Sequence, residues 1–163
     1  PVGDRPQAVA VGAFNADALP DFATTNAAAG TVSVRLGVGA GGFAGGLDVP
    51  TGKAGPDGIV AGRFRGAGKP LDLAVAHFET GAADGAVVIL AGDGNGGFAV
   101  GQTVAVTAPP GGTRVGLTDL AAGDFNRDGR PDLAVSDFNN GAVTVLLGAA
   151  DGTFAAGPRV VVG

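Results

Sequence analysis

The chain repeats itself three times, and that self-similarity constrains its fold more than any other feature. VAVGAF at 9–14, IVAGRF at 59–64 and LAAGDF at 120–125 open the copies. PDFAT at 20–24, PLDLAV at 70–75 and PDLAV at 131–135 follow, and then GTVSVRLG at 30–37, GAVVILAG at 85–92 and GAVTVLLG at 141–148. Each copy next reaches a Gly-rich turn closed by an aromatic, Phe43, Phe98 or Phe154, and ends in a short strand around Leu47–Val49, Gln102–Val106 or Arg159–Val162. The units span 1–52, 53–112 and 113–163.

Within each unit the hydrophobic period is two. Val32, Val34 and Leu36 alternate with Ser33 and Arg35, and Val87, Ile89, Ala91 and Val143, Val145, Leu147 keep the same register. This is the pattern of a half-buried strand. Asp84-Gly85 and Asn140-Gly141 supply the positive φ of tight primed hairpin turns. No 3.6-residue period is sustained anywhere. The expectation is an all-β chain of three four-stranded antiparallel units, read as β-propeller blades with Ala10, Ala61 and Ala121 on the inner strands, where only small side chains fit. A solenoid stack of three sheets is the alternative.

Composition agrees with a strand-and-turn protein. The 163 residues include 32 Gly and 10 Pro, yet 45% are hydrophobic and 15% charged, so the chain can bury a core. The acids are 14 Asp and one Glu, a skew toward turns, caps and oxygen-ligand loops. A net charge of -5 and a pI near 4.5 offer no electrostatic footprint for nucleic acid or an anionic membrane. No apolar run reaches the roughly 18 to 20 residues of a bilayer span. With no Cys, disulfides and thiolate chemistry are excluded. The chain begins at Pro1 and contains no Met, which reads as a processed product or an excerpt of a longer protein.

The densest chemistry is the stretch DFNRDGRPD at 124–132. Asp124, Asn126 and Asp128 by side chain, Arg130 by its backbone carbonyl and Asp132 from the next strand supply the oxygens that a hard, flexibly coordinated cation takes, Ca²⁺ better than Mg²⁺. Gly129 provides the left-handed turn, Pro131 holds Arg130 extended, and Phe125 is expected to point into a blade interface. A solvated Asx turn uses the same residue types. Three carboxylates on one loop would raise one another's pKa without a cation, so calcium is the reading preferred here.

The motif G-D-F-N-x-D-G-x-P-D-L-A-V, repeated in weaker form along the chain, resembles the FG-GAP or VCBS repeat, the blade of integrin α-subunit propellers and of many secreted bacterial proteins. The resemblance implies Ca²⁺ in the loop joining the first two strands of a blade, a secreted or cell-surface setting, and roles in adhesion or ligand display. The third copy alone carries the complete loop. In the first, Ala13 replaces the leading carboxylate and Ala18 the glycine, leaving Asn15, Asp17, the Leu19 carbonyl and Asp21 as a weaker site. In the second, Arg63 and Arg65 replace the leading oxygen donors. One of them is expected to pair with Asp72 in place of a metal, or else both face water.

Catalytic chemistry is not expected. His77 is the sole histidine, so no Ser-His-Asp or multi-histidine site can be assembled. Asp137–Gly141 and Gly92–Gly97 read as turns, and nine Phe falling three per unit read as packing. Three blades cannot close a ring. Either further blades of the same chain or a second copy, three blades plus three with twofold symmetry, must cover the ends. The function expected is a non-catalytic, calcium-binding propeller module for extracellular binding, adhesion or display to a protein or glycan partner. A propeller segment of a larger secreted enzyme is the alternative.

Overall fold

The computed structural model describes residues 1–78 and 84–162, and they form three antiparallel sheets in chain order. Blade 1 comprises β1 (Pro6–Gly12), β2 (Asp21–Asn26) and β3 (Thr31–Gly39), with β4 (Gly42–Ala44) and β5 (Asp48–Pro50) both pairing with β3. The last strand expected around Leu47–Val49 is β5, and a break separates it from β4, a further short strand at the turn aromatic Phe43. The break falls at Gly46, where an added Cβ would collide with the carbonyl of Val34. Blade 2 is the meander β6 (Pro56–Gly62), β7 (Asp72–His77), β8 (Gly85–Gly92) and β9 (Phe98–Val106). Blade 3 is β10 (Leu117–Gly123), β11 (Asp132–Asp137), β12 (Ala142–Gly148) and β13 (Phe154–Val161).

The same one-residue bulge interrupts the first strand pair of every blade, between Pro6 and Val9, Pro56 and Ile59, and Leu117 and Leu120. It adds local twist where the inner strands β1, β6 and β10 pack side by side. The hairpins after the second strands are wider than two-residue primed turns. Asp137 pairs with Ala142, and the connection is a 3-10 turn, Phe138–Asn140, ended by left-handed Gly141. Asn140 therefore does not take the positive φ expected of it. Nor does Gly85 of the Asp84-Gly85 pair take it, being the first residue of β8; residues 79–83 lie outside the described residues.

The pairing register sorts each blade into two faces. Ala10, Ala23, Val32 and Val34 of blade 1 pack on Ile59, Leu73, Val75, Val88 and Leu90 of blade 2. From the other side of blade 2, Ala74, Ala76, Val87, Ile89, Val104 and Val106 pack on Leu117, Leu133, Val135 and Leu146 of blade 3. Each fully buried Val or Leu contributes about 1.5–3 kcal/mol, so these two interfaces dominate stability.

Edge-to-face aromatic pairs close the rim of both interfaces: Phe14 on Phe98 with centroids 5.3 Å apart, and Phe64 on Phe154 at 5.5 Å. In both, the aromatic after a blade's first strand meets the turn aromatic of the next blade. Packing was the role expected of the phenylalanines.

Half-burial, in contrast, depends on position in the stack. The middle strand β8 is covered on both faces, so Val88 and Leu90 are as buried as Val87 and Ile89. In the corresponding strand of blade 3, β12, the buried residues are Ala142, Thr144 and Leu146, whereas Val143, Val145 and Leu147 face away from blade 2 and are only partly covered. Phe125 is 53% exposed rather than set in an interface, since no described sheet packs on that side of blade 3.

Candidate metal centre

All three loops are built on one buried carboxylate at the start of the second strand. Asp21 accepts from Phe14 N–H at 2.6 Å and from Gly37 N–H at 2.9 Å. Asp132 accepts from Phe125 N–H at 3.0 Å, Asn126 N–H at 3.3 Å and Gly148 N–H at 2.8 Å. Asp72 accepts from Gly92 N–H at 3.0 Å. Each aspartate therefore ties the first loop to the end of the third strand. The glycines that donate are required at these places, since a Cβ on Gly37, Gly92 or Gly148 would strike the carbonyl of Pro20, Leu71 or Pro131. The residue read from sequence as the last metal ligand is thus first of all a backbone clamp of the blade.

In the third loop the remaining oxygens are engaged with N–H donors. Asp124 accepts from Asp128 N–H at 3.1 Å and Gly129 N–H at 2.9 Å, one on each carboxylate oxygen. Asn126 Oδ1 accepts from Asp128 N–H at 2.9 Å, and Asp128 Oδ1 from Arg130 N–H at 2.9 Å. Asp128 Oδ2 takes Asn126 Nδ2 and an exposed ion pair with Arg130 Nη1 at 3.1 Å. Gly129 has φ +83, the left-handed turn expected, and Arg127 shares that conformation at φ +62. Desolvation works against ionising Asp128, but the Arg130 and Asn126 donors outweigh it and hold its carboxyl below the ordinary value. Repulsion among the carboxylates is thus met in part by backbone dipoles and by Arg130. The pressure for a cation is lower than a bare count of acids implies.

The donor set nevertheless fits a hard cation. An ionised carboxylate offers about four lone-pair sites. Asp124 uses one per oxygen on N–H donors, leaving the rest free for a metal. Among the described residues no three His, Cys, Asp or Glu side chains gather into one group that could hold a metal. The oxygens present share one exposed loop and come partly from Asn126.

The first loop keeps the turn without its first carboxylate. Asn15 and Asp17 bond each other, Asp17 Oδ1 accepts from Leu19 N–H at 2.9 Å, and Asp21 is held in its clamp. Ala18, where the third loop has Gly129, is forced into the left-handed region at φ +61. In the second loop Arg65 donates through Nε and Nη2 to Asp72 Oδ1, at 2.9 and 2.7 Å, and reaches the carbonyl of Gly92. The hydrogen bond to Asp72 raises the Arg65 pKa further. Arg63 instead donates to the carbonyl of Lys69.

One polar position escaped the sequence reading. Asn26, His77 and Asp137 occupy the same place, the last residue of the second strand, and all are buried. Asp137 accepts from Gly116 N–H at 3.0 Å, Asn140 Nδ2 at 2.8 Å and Arg159 Nη2 at 2.8 Å. Although desolvation opposes it, these donors hold Asp137 below the ordinary carboxylate value. His77 contacts the Ala54 carbonyl through Nδ1 at 3.0 Å. A polar residue in all three copies, at a place where the alternation demands a core residue, was the available signal.

Residues 70–135, from the entry to β7 through the third loop and into β11, match the FG-GAP-like repeat family. The chain carries an FG-GAP-like repeat. Searches of curated proteins and of solved structures returned no match. The FG-GAP-like segment contains the one complete aspartate loop, and the all-β, blade-like sheets on either side of it make this a propeller-like module. Among the described residues, no helix is long and apolar enough to cross a membrane.

Proposed function

We propose that this chain is a calcium-binding, non-catalytic propeller module that acts outside the cell, presenting its loops to a protein or glycan partner. The observation that carries the reading is the third loop. There Asp124, Asn126 and Asp128, joined by the Arg130 carbonyl and by Asp132 at its buried root, offer oxygen ligands around a glycine-permitted turn. Calcium bound there would pin β10 to β11 by drawing the loop onto its own root. The first loop, without a carboxylate at position 13, is the weaker site. The second takes no ion, because the Arg65 guanidinium lies on the clamp.

Absence of catalysis is supported by the placement of His77, buried in β7 with Nδ1 on a backbone carbonyl rather than open to a substrate. The extracellular setting is supported by the FG-GAP-like match, a repeat typical of extracellular proteins.

Calorimetric titration of Ca²⁺ into chelator-treated protein tests the reading. One dominant site is expected, lost in Asp124→Ala, and a melting midpoint that rises with calcium. At a hundredfold excess over Kd the stabilisation is about 2.7 kcal/mol. No binding heat and an unmoved midpoint would leave the loop as a turn and overturn the assignment.

A further inference from the structure

The two ends of the stack are unlike a finished surface. On blade 3 the face turned away from blade 2 carries Ala121, Ala134, Val143, Val145 and Val160. By register these are the counterparts of Val60, Ala74, Val87, Ile89 and Val104 of blade 2. Those of blade 2 lie in or against a core cluster; Val160 is 53% exposed and Val162, beyond it, 67%. The side chains stay apolar where this chain provides no cover.

At the opposite end, blade 1 turns Val9, Val11, Phe22 and Arg35 outward, the places held in blade 2 by Ile59, Ala61, Leu73 and Leu90. An open groove of about 350 Å³ runs there between Val2, Phe22, Arg35 and Phe43. Pro1–Gly3 lies along the polar part of this face, through Gly3 N–H to Ser33 and Arg35 Nε to the Pro1 carbonyl. Val9 and Val11 remain 63% and 66% exposed.

The aromatic rim says how the ends belong together. Each interface inside the chain is closed by a first-strand Phe of one blade on the turn Phe of the next, Phe14 on Phe98 and Phe64 on Phe154. The series leaves two members over. Phe125, the first-strand aromatic of blade 3, is half exposed, and Phe43, the turn aromatic of blade 1, is 50% exposed and rests on Phe22 of its own blade. One chain carries at its two ends the two halves of a third interface. They cannot meet within a single copy of three blades, but they can between copies.

We propose that two copies of this chain associate head to tail, the outer face of blade 3 in each covering the outer face of blade 1 in the other. Phe125 of one copy then packs on Phe43 of the second. The contact forms twice about a twofold axis, continuing the two interfaces already present in the chain. Phe125 sits within the metal loop, so Val160 on β13 and Phe43 on β4, both outside it, are what keep this proposal distinguishable from the calcium reading.

The test is solution mass by sedimentation, with three variants. The wild-type chain is expected at twice the 15.5 kDa of one copy. Phe125→Asp, Val160→Asp and Phe43→Asp should each weaken association by about thirtyfold or more while keeping the far-UV β-sheet spectrum. An equimolar mixture of Phe125→Asp with Phe43→Asp should recover a one-to-one dimer, because one of its two junctions is unmodified. A wild-type monomer at every soluble concentration would overturn the proposal and assign the faces to other blades or partners. So would a dimer indifferent to Val160→Asp and Phe43→Asp, or a mixture that stays monomeric.

Discussion

The second and third loops begin from the same buried aspartate and end in opposite chemistry. In blade 3, Asp132 sits under a loop of acids and amides; in blade 2, Asp72 sits under Arg65. Both aspartates accept the N–H of a glycine at the end of the third strand, so the clamp is common and only the loop above it differs. The contrast separates two roles that a metal-loop pattern merges. The closing aspartate belongs to the fold, and the residues before it decide whether a cation or a guanidinium completes the charge.

Removing the clamp should have the largest effect. Asp72→Ala strands the Arg65 guanidinium and the Gly92 N–H, and a loss of about 3 kcal/mol is expected, the low end for a broken buried pair because Arg65 is one-third open to water. Denaturant unfolding measures it, and a loss no greater than that of a surface substitution would dissolve the distinction. Next comes a crossed comparison in blade 3. Asp132→Ala should destabilise with or without calcium, whereas Asp124→Ala should cost little in chelator and should abolish the gain on adding calcium. Equal losses for the two in chelator would mean that the clamp and the loop are not separable.

Acid titration gives a smaller effect. Asp128 and Asp137 are both held below 3.8, the ordinary carboxylate value. Their contribution is therefore complete above that value and is lost as pH falls through their lowered folded-state values. A melting midpoint that rose on acidification through this range would contradict the donors assigned to them. Asp57 runs the other way: desolvation and the Asp119 charge raise its pKa, so its penalty at neutral pH is relieved by acid. Smallest of all, Ala18→Gly should stabilise by about 0.5–1 kcal/mol, since alanine is strained at the φ that Gly129 adopts freely. An unchanged midpoint would mean the first loop relaxes out of that conformation.

Much of this was legible before any coordinates. The period-two segments around Val34, Ile89 and Val145 announce strands, and the recurrence of Gly-Phe turns sets the blade. A guanidinium standing where an oxygen donor belongs suggested an ion pair with Asp72 but left open Arg63, Arg65 or neither, and the structure selects Arg65. What the pattern hid depends on neighbours far along the chain. Asp137 and Arg159 are 22 residues apart, and only the β11–β12–β13 register brings them together. The common bulge was invisible because one extra residue in a strand leaves no mark on an alternating pattern.

The sequence by itself determined three sheets, their order and the place of the acidic loop, because alternation and turn chemistry act over a few residues. Tertiary structure alone decided which faces are covered. Val87 and Val143 occupy the same place in their blades, yet Val87 is fully buried and Val143 is not. Burial is a property of what stacks against a sheet, and a strand's own residues cannot encode whether that neighbour is present.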